Sequence, residues 1–128
     1  MNMEKRVQAE FERLLGIQVL EREDGRALLK LPFCRTFTNP HGSLHGGAIV
    51  TLADTAAANA LLLRYSKQGF LTVKFTIKFL KQALGDIFAE ARITRVKKNI
   101  VALKVVIFNR EKTELAVADA EFFIHGKR

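Results

Sequence analysis

The sequence predicts an α+β fold in which one curved antiparallel sheet of five to six strands wraps around a single long buried helix. Three patterns lead there. Residues 45–65 are rich in Ala and Leu, carry no Gly or Pro after Gly47 and leave almost no polar face, so a helix there is enclosed by protein. Residues 71–79 switch to period two, with Leu71, Val73, Phe75, Ile77 and Phe79 alternating with Thr72, Lys74, Thr76 and Lys78, the pattern of a half-buried strand. The later strand-like segments are joined by short connections, which favour antiparallel neighbours.

In chain order, Val7, Phe11, Leu14 and Leu15 recur at helical spacing, so residues 4–15 read as an amphipathic helix closed by Gly16 and packed on the outside of the sheet. Segments 17–21 and 26–31 flank the turn signal Glu23-Asp24-Gly25 and read as a hairpin. Both prolines, Pro32 and Pro40, fall in 32–44, an irregular loop. After the helix and the strand at 71–79, strands are expected at 87–96, 100–109 and 115–125, separated by Gly85-Asp86, Lys97-Lys98-Asn99 and Arg110-Glu111-Lys112. Two strands then precede the long helix and four follow it. A chain of 128 residues is sized for one such domain, spanning 1–128.

Composition narrows the setting. The single cysteine, Cys34, has no disulfide partner and no Cys or His around it at zinc-site spacing, which argues for a reducing cytoplasm and no structural metal. The first residues lead into an amphipathic segment, unlike a secretory signal. The helix at 45–65 is not read as a membrane span, because Asp54 would sit near mid-bilayer and the apolar run is interrupted. Lys and Arg outnumber Asp and Glu by 21 to 13, a net charge of +8 that attracts polyanions: nucleic acid, an anionic membrane or a small, multiply phosphorylated ligand. Charge alone does not choose among them.

Chemistry concentrates where the loop enters the long helix. Asn39-Pro40-His41-Gly42-Ser43-Leu44-His45-Gly46-Gly47 is polar and glycine-rich, and it delivers the chain to a helix N-terminus whose free amides favour negative charge. Gly46 and Gly47 remove side chains, so a ligand can approach the backbone, and the Gly46 amide is a candidate oxyanion donor. Asp54 is the second unusual residue, a carboxylate inside an apolar helix, where it is either paired or functional. His45 and Asp54 are nine residues apart, about 900° of helical phase and a rise of about 13 Å, so one protomer does not bring both to the same atom. Two such helices packed antiparallel about a two-fold axis would do so twice, which predicts an obligate dimer.

Asn39, Gly42, His45-Gly46-Gly47 and Leu52-Ala53-Asp54-Thr55-Ala56 together resemble the signature of hotdog-fold acyl-CoA thioesterases, specifically the phenylacetate-pathway and human-type members of that superfamily. The order of elements agrees over nearly the whole chain. The resemblance implies a homodimer, commonly paired into a dimer of dimers, acting on acyl-CoA or acyl-carrier-protein thioesters. Coenzyme A would be part of the substrate, with no other cofactor, no nucleic acid and no membrane as partner. By position it implies Asp54 as general base or nucleophile, Gly46 as donor to the carbonyl oxygen and Asn39 near that carbonyl or the attacking water. His45 would orient the loop or polarise the carbonyl, and Thr72 would hold the water opposite the carboxylate. The relatives' strand continues Asn-Phe-Leu-Arg-Pro, whereas this chain has Lys78-Phe79-Leu80-Lys81-Gln82, a departure that bears on the acyl or pantetheine channel.

Other residues have blander readings. His41 is first a surface loop residue and second a lining residue beside Gly47; His125 is expected to face solvent; Cys34 is read as packing; Thr55 and Asn59 are read as satisfying local hydrogen bonds. Arg92, Arg95, Lys97 and Lys98 cluster at a strand connection, either as a solvated rim or as the holders of coenzyme A phosphates. The competing class is a non-catalytic acyl-CoA sensor on the same fold, which would carry additional DNA-binding helices and lack the carboxylate.

Overall fold

The computed structural model describes residues 9–126. Its elements run α1 (Glu10–Leu15), β1 (Gln18–Glu23), β2 (Arg26–Leu31), α2 (Gly46–Leu62), β3 (Gly69–Phe79), β4 (Ile87–Lys97), β5 (Ile100–Asn109) and β6 (Glu114–His125). Six strands form one antiparallel sheet in the order β1-β2-β4-β5-β6-β3. The sheet lies against α2 through alternate residues: Ala27, Leu29 and Leu31 of β2, Ile87, Ala89 and Ala91 of β4, Val101, Leu103, Val105 and Ile107 of β5. Alanines on both surfaces let helix and sheet approach closely, while Leu52 and Leu61 fill the space between them.

Element boundaries follow local chemistry. His45 is the N-cap of α2, one residue before its first helical position, and α2 stops at Leu62 rather than 65. There the hairpin turn clasps it: the Gly25 N–H donates to the Ala60 carbonyl at 3.1 Å and Arg64 reaches Asp24 at 2.8 Å. Gly25 holds φ 84°, a left-handed turn that a side chain would strain. The expected loop at 32–44 contains one 3-10 turn, Arg35–Phe37, and a bridge between Thr38 and Leu44. No helix is long and apolar enough to cross a membrane among the described residues.

Three expectations need correction. The N-terminal helix is described only from Glu10, so residues 4–8 lie outside the described residues, and α1 packs on α2 rather than on the outside of the sheet. Strands β3 and β4, consecutive in the chain, are not neighbours: the Leu80 and Lys81 amides both donate to the Leu115 carbonyl, which ties the end of β3 to β6, and the chain then crosses to β4. Finally, the period of β3 breaks. A bulge falls between Thr72 and Lys74, so Thr72 is paired with buried Phe122 while Phe75, Ile77 and Phe79 face Ala120, Ala118 and Ala116. Thr72 therefore shares the helix-facing side with Phe75, Ile77 and Phe79, and Leu71, opposite Phe123, lies on the other.

The helix is not wholly enclosed by its own sheet. Thr51, Asp54 and Ala58 remain half-buried and Gly47 exposed, at positions i, i+4, i+7 and i+11 along one stripe. That stripe lies beside β3, which is the edge of the sheet and exposes Leu71, Val73 and Phe79 by about half.

Candidate active site

The entry loop is closed by Asn39. Its Oδ1 accepts the His41 and Ser43 amides at 2.9 and 3.3 Å, and its Nδ2 donates to the Ser43 hydroxyl at 2.8 Å. The Asn39 amide donates to the Ser43 carbonyl and the Gly42 amide returns to the Asn39 carbonyl, with Gly42 at φ 87° making the reversal. The Leu44 amide donates to Ala83 and the His45 amide to Phe37, which aims the chain into α2. Asn39 thus organises the loop with most of its hydrogen-bonding capacity. Ser43, buried at 3% exposure, is the partner that sequence reading missed; a lone serine between Gly and Leu carries no signal of burial.

At the helix start, four amides need acceptors. His45 supplies three: its Nδ1 accepts the Gly47 N–H at 2.9 Å, and its carbonyl accepts the Ala48 and Ile49 amides. Only the Gly46 N–H meets no acceptor among the described residues. This corrects the expectation for Gly47, whose amide is occupied and whose missing side chain instead leaves room for the imidazole; a Cβ there would sit 3.1 Å from His45 Nδ1. Gly46 lines a cleft of about 360 Å³ with Ser43, Leu44, Ile49, Phe79, Leu80, Lys81, Gln82 and Ala83. A side chain at position 46 would point at the Phe79 ring, 3.5 Å from its Cβ. His41 is exposed on the loop and does not line this cleft.

Asp54 sits two turns further along α2. Its Oδ1 accepts the Thr72 hydroxyl at 2.7 Å, a contact that exists because the bulge turns Thr72 towards the helix. Burial raises the Asp54 pKa above the ordinary carboxylate value, and the Thr72 hydrogen bond offsets part of that rise. No cation pairs with Asp54 among the described residues. A half-desolvated carboxylate held by one hydroxyl is a stronger base than a solvated one. Gly46 and Asp54 are eight residues apart on one helix, about 12 Å of rise, so the unpaired amide and the carboxylate of one protomer do not address a common atom.

The remaining candidates are elsewhere. Arg92 is opposite Lys104 and Arg95 opposite Ala102, on the face of the sheet turned away from α2, because strand alternation and a second bulge between Ile93 and Arg95 direct them there. Arg95, Lys97 and Lys98 line a separate cleft of about 320 Å³ on that face, with Glu121 in its wall, while Arg92 reaches Glu90 at 3.3 Å. Asn59 is satisfied locally, donating to the Thr55 carbonyl and accepting from Arg22. His125 is exposed and lies over Gly69, where any side chain would collide with its ring.

The profile of the family described as Thioesterase superfamily matches residues 41–116, from the entry loop through most of the sheet. The chain belongs to this superfamily. Among its relatives, the acyl-coenzyme A thioesterase PaaI of Escherichia coli is 31% identical over 107 residues, 80% of this chain and 74% of that protein. Human acyl-coenzyme A thioesterase 13 is 30% identical over 108 residues, 82% and 77% of the two chains. The solved structure of the E. coli PaaI protein from the phenylacetic acid degradation operon superposes with TM-score 0.87, 24% identity and 96% of this chain covered against 89% of that one. A conserved Pseudomonas aeruginosa protein reaches 0.89 with 20% identity, covering 94% and 98%. The fold is that of the hotdog thioesterases, and the superfamily match spans both Gly46 and Asp54.

Proposed function

We propose that this protein hydrolyses acyl-CoA thioesters in a two-fold dimer, each site joining the Gly46 amide of one protomer to the Asp54 and Thr72 side chains of the other. The observation that carries the reading is the pair of incomplete half-sites on one helix: a single unpaired N–H at the cleft, and about 12 Å away a desolvated carboxylate. The half-buried stripe of α2 and the exposed apolar edge of β3 are the surfaces that two-fold packing would cover. Named acyl-CoA thioesterases among the relatives support the substrate class.

In the reaction, Asp54 takes a proton from water as the oxygen bonds to the thioester carbonyl carbon. The carbonyl oxygen becomes an alkoxide and receives the Gly46 N–H, a fixed donor that needs no reorganisation. Collapse breaks the carbon–sulfur bond, and the proton held by Asp54 leaves with the thiolate, so acid and thiol are formed and the carboxylate is restored. Direct attack by Asp54, giving a mixed anhydride that water then opens, uses the same groups. Thr72 donates to the oxygen of Asp54 that is not reacting and keeps the carboxylate oriented, while His45 and Asn39 hold the loop that positions Gly46.

Replacing Asp54 with Asn keeps the shape and removes the base. Turnover of a panel of acyl-CoAs, read by free-thiol release, is expected to fall by about 10³-fold with the dimer intact in light scattering. Near-normal turnover would refute the assignment. Mixing Asp54→Asn chains with Gly46→Leu chains should restore activity, since a mixed dimer contains one site with both groups unaltered; no recovery on exchange would refute the shared site.

A further inference from the structure

Strands β2 and β4 pair in unbroken register from Arg26 opposite Arg92 to Leu31 opposite Ile87, where the ladder stops. The next residue of the outgoing chain is Pro32, which has no N–H with which to continue it. The first donor beyond the ladder is therefore the Phe33 amide. It donates to Asp86 Oδ1 at 2.7 Å, and Asp86 immediately precedes Ile87. A side-chain oxygen thus takes up the amide that follows the proline, at the point where the chain leaves the sheet and begins the entry loop. The other end of that loop is held from the same short segment. Leu44, one residue before the N-cap His45, donates its amide to the Ala83 carbonyl at 2.9 Å. Residues 83–86, in the crossover from β3 to β4, grip the loop at 33 and at 44, and nothing between those points belongs to the six-stranded sheet.

The crossover is itself fixed. Ala83 is buried, and Asp86 Oδ2 accepts Arg110 at 2.6 Å with the Lys30 ammonium at 3.6 Å. The Phe33 amide first, and then Arg110, hold the Asp86 carboxyl below the usual carboxylate range, so its oxygens stay charged acceptors, the stronger kind for a backbone N–H. The two grips differ in what they ask of the sequence. Any residue at 83 offers a carbonyl to Leu44, whereas the grip on Phe33 needs the side chain of Asp86. We infer that Asp86 is a positioning residue for the proposed reaction: by holding Phe33 it fixes the start of the loop that presents the Gly46 N–H to the thioester carbonyl. It touches no reacting atom and acts only through the loop. Displacements of about 1 Å in such a donor cost up to about 10²-fold in rate. The inference rests on the proposed acyl-CoA reading.

Three variants of the full chain separate the amide contact from the ion pairs. Asp86→Ala removes both, Asp86→Asn keeps a neutral oxygen for the Phe33 N–H, and Arg110→Ala leaves the carboxylate in place. Free-thiol release from acyl-CoAs gives kcat and KM, and hydrogen exchange read by mass spectrometry follows peptides covering 33–47 and 87–109. In Asp86→Ala, kcat is expected to fall about tenfold or more while KM changes less than about threefold, and exchange should quicken in 33–47 alone. Asp86→Asn and Arg110→Ala should each keep kcat within about threefold of the unaltered protein. A loss in either as large as that in Asp86→Ala overturns the inference, because the ion pairs would then carry the effect. Unchanged kcat in Asp86→Ala overturns it too, as does faster exchange throughout 87–109 or failure of that variant to fold, either of which makes Asp86 a support of the whole domain. If the unaltered protein releases no thiol from any acyl-CoA, the thioesterase reading fails, and the exchange pattern still decides whether Asp86 holds the loop.

Discussion

At one edge of the sheet β1 runs six residues and places Glu21 and Glu23 on Arg26 of β2, at 2.7 and 2.9 Å; at the other, β3 runs eleven residues and leaves Leu71, Val73 and Phe79 half exposed. A short strand with its charges engaged discourages further pairing, whereas a long apolar edge with open backbone groups invites it. Each half-exposed side chain on β3 stands to gain roughly 1 kcal/mol on full burial. In the proposed dimer β1 is an outer edge and β3 the edge that meets the second protomer. Asp54 and its stripe lie on the β3 side, so the open edge and the proposed half-site are the same region.

Breaking that region should matter far more than breaking its counterpart. Leu71→Lys combined with Val73→Lys is expected to convert the dimer to monomer in sedimentation and to lower activity by at least about 10²-fold, since the proposed site needs both chains in register. Leu20→Lys on β1 should change neither; equal effects at the two edges would defeat the comparison. A smaller effect isolates the bulge. Thr72→Val should lose about tenfold in kcat, whereas deleting Val73 removes the bulge but keeps Thr72 opposite Phe122 on the helix-facing side and should lose far less. Without the hydroxyl, which favours the charged form, the Asp54 pKa rises further. The acidic limb of kcat/KM should therefore move to higher pH in Thr72→Val, and a shift to lower pH would exclude the hydrogen bond as its cause.

The smallest expected effect is on stability, and its sign differs from that of a paired surface acid. The folded pKa of Asp54 is raised above its unfolded value, so the folded state binds the proton more tightly in the interval between the two. Stability is then lost as pH rises through that interval, and ionised Asp54 is a net cost above it. Asp54→Asn should consequently melt a few degrees higher than the unaltered protein at neutral pH. The difference should shrink as pH falls below the ordinary carboxylate value, and a variant less stable at neutral pH would contradict the desolvation account.

Much of the fold was legible in the sequence because its cues are local. The apolar run after Gly47, the Asp24-Gly25 turn and the short connections within 87–125 each delimit elements within a few residues. The candidate site was legible to the same depth: Gly46 at a helix entrance and Asp54 in an apolar helix are anomalies visible along the chain. Thr72 was named from a resemblance, while its periodicity placed it on the wrong face. Arg92, Arg95, Lys97 and Lys98 were drawn together by proximity in sequence, which says nothing about which side of a sheet receives them.

What the chain determined by itself is therefore the set of elements and the two unusual groups on α2, since helical phase and burial cost depend only on residue spacing and type. Which amide stays free, which face Thr72 takes and which edge stays open depend on partners far away in sequence. His45 had to cap Gly47 before Gly46 was singled out. The ladder with β6 had to absorb one extra residue before Thr72 met Asp54. Those choices belong to the tertiary structure because a hydrogen-bond register is a property of two strands, and a one-residue slip in either exchanges the two faces.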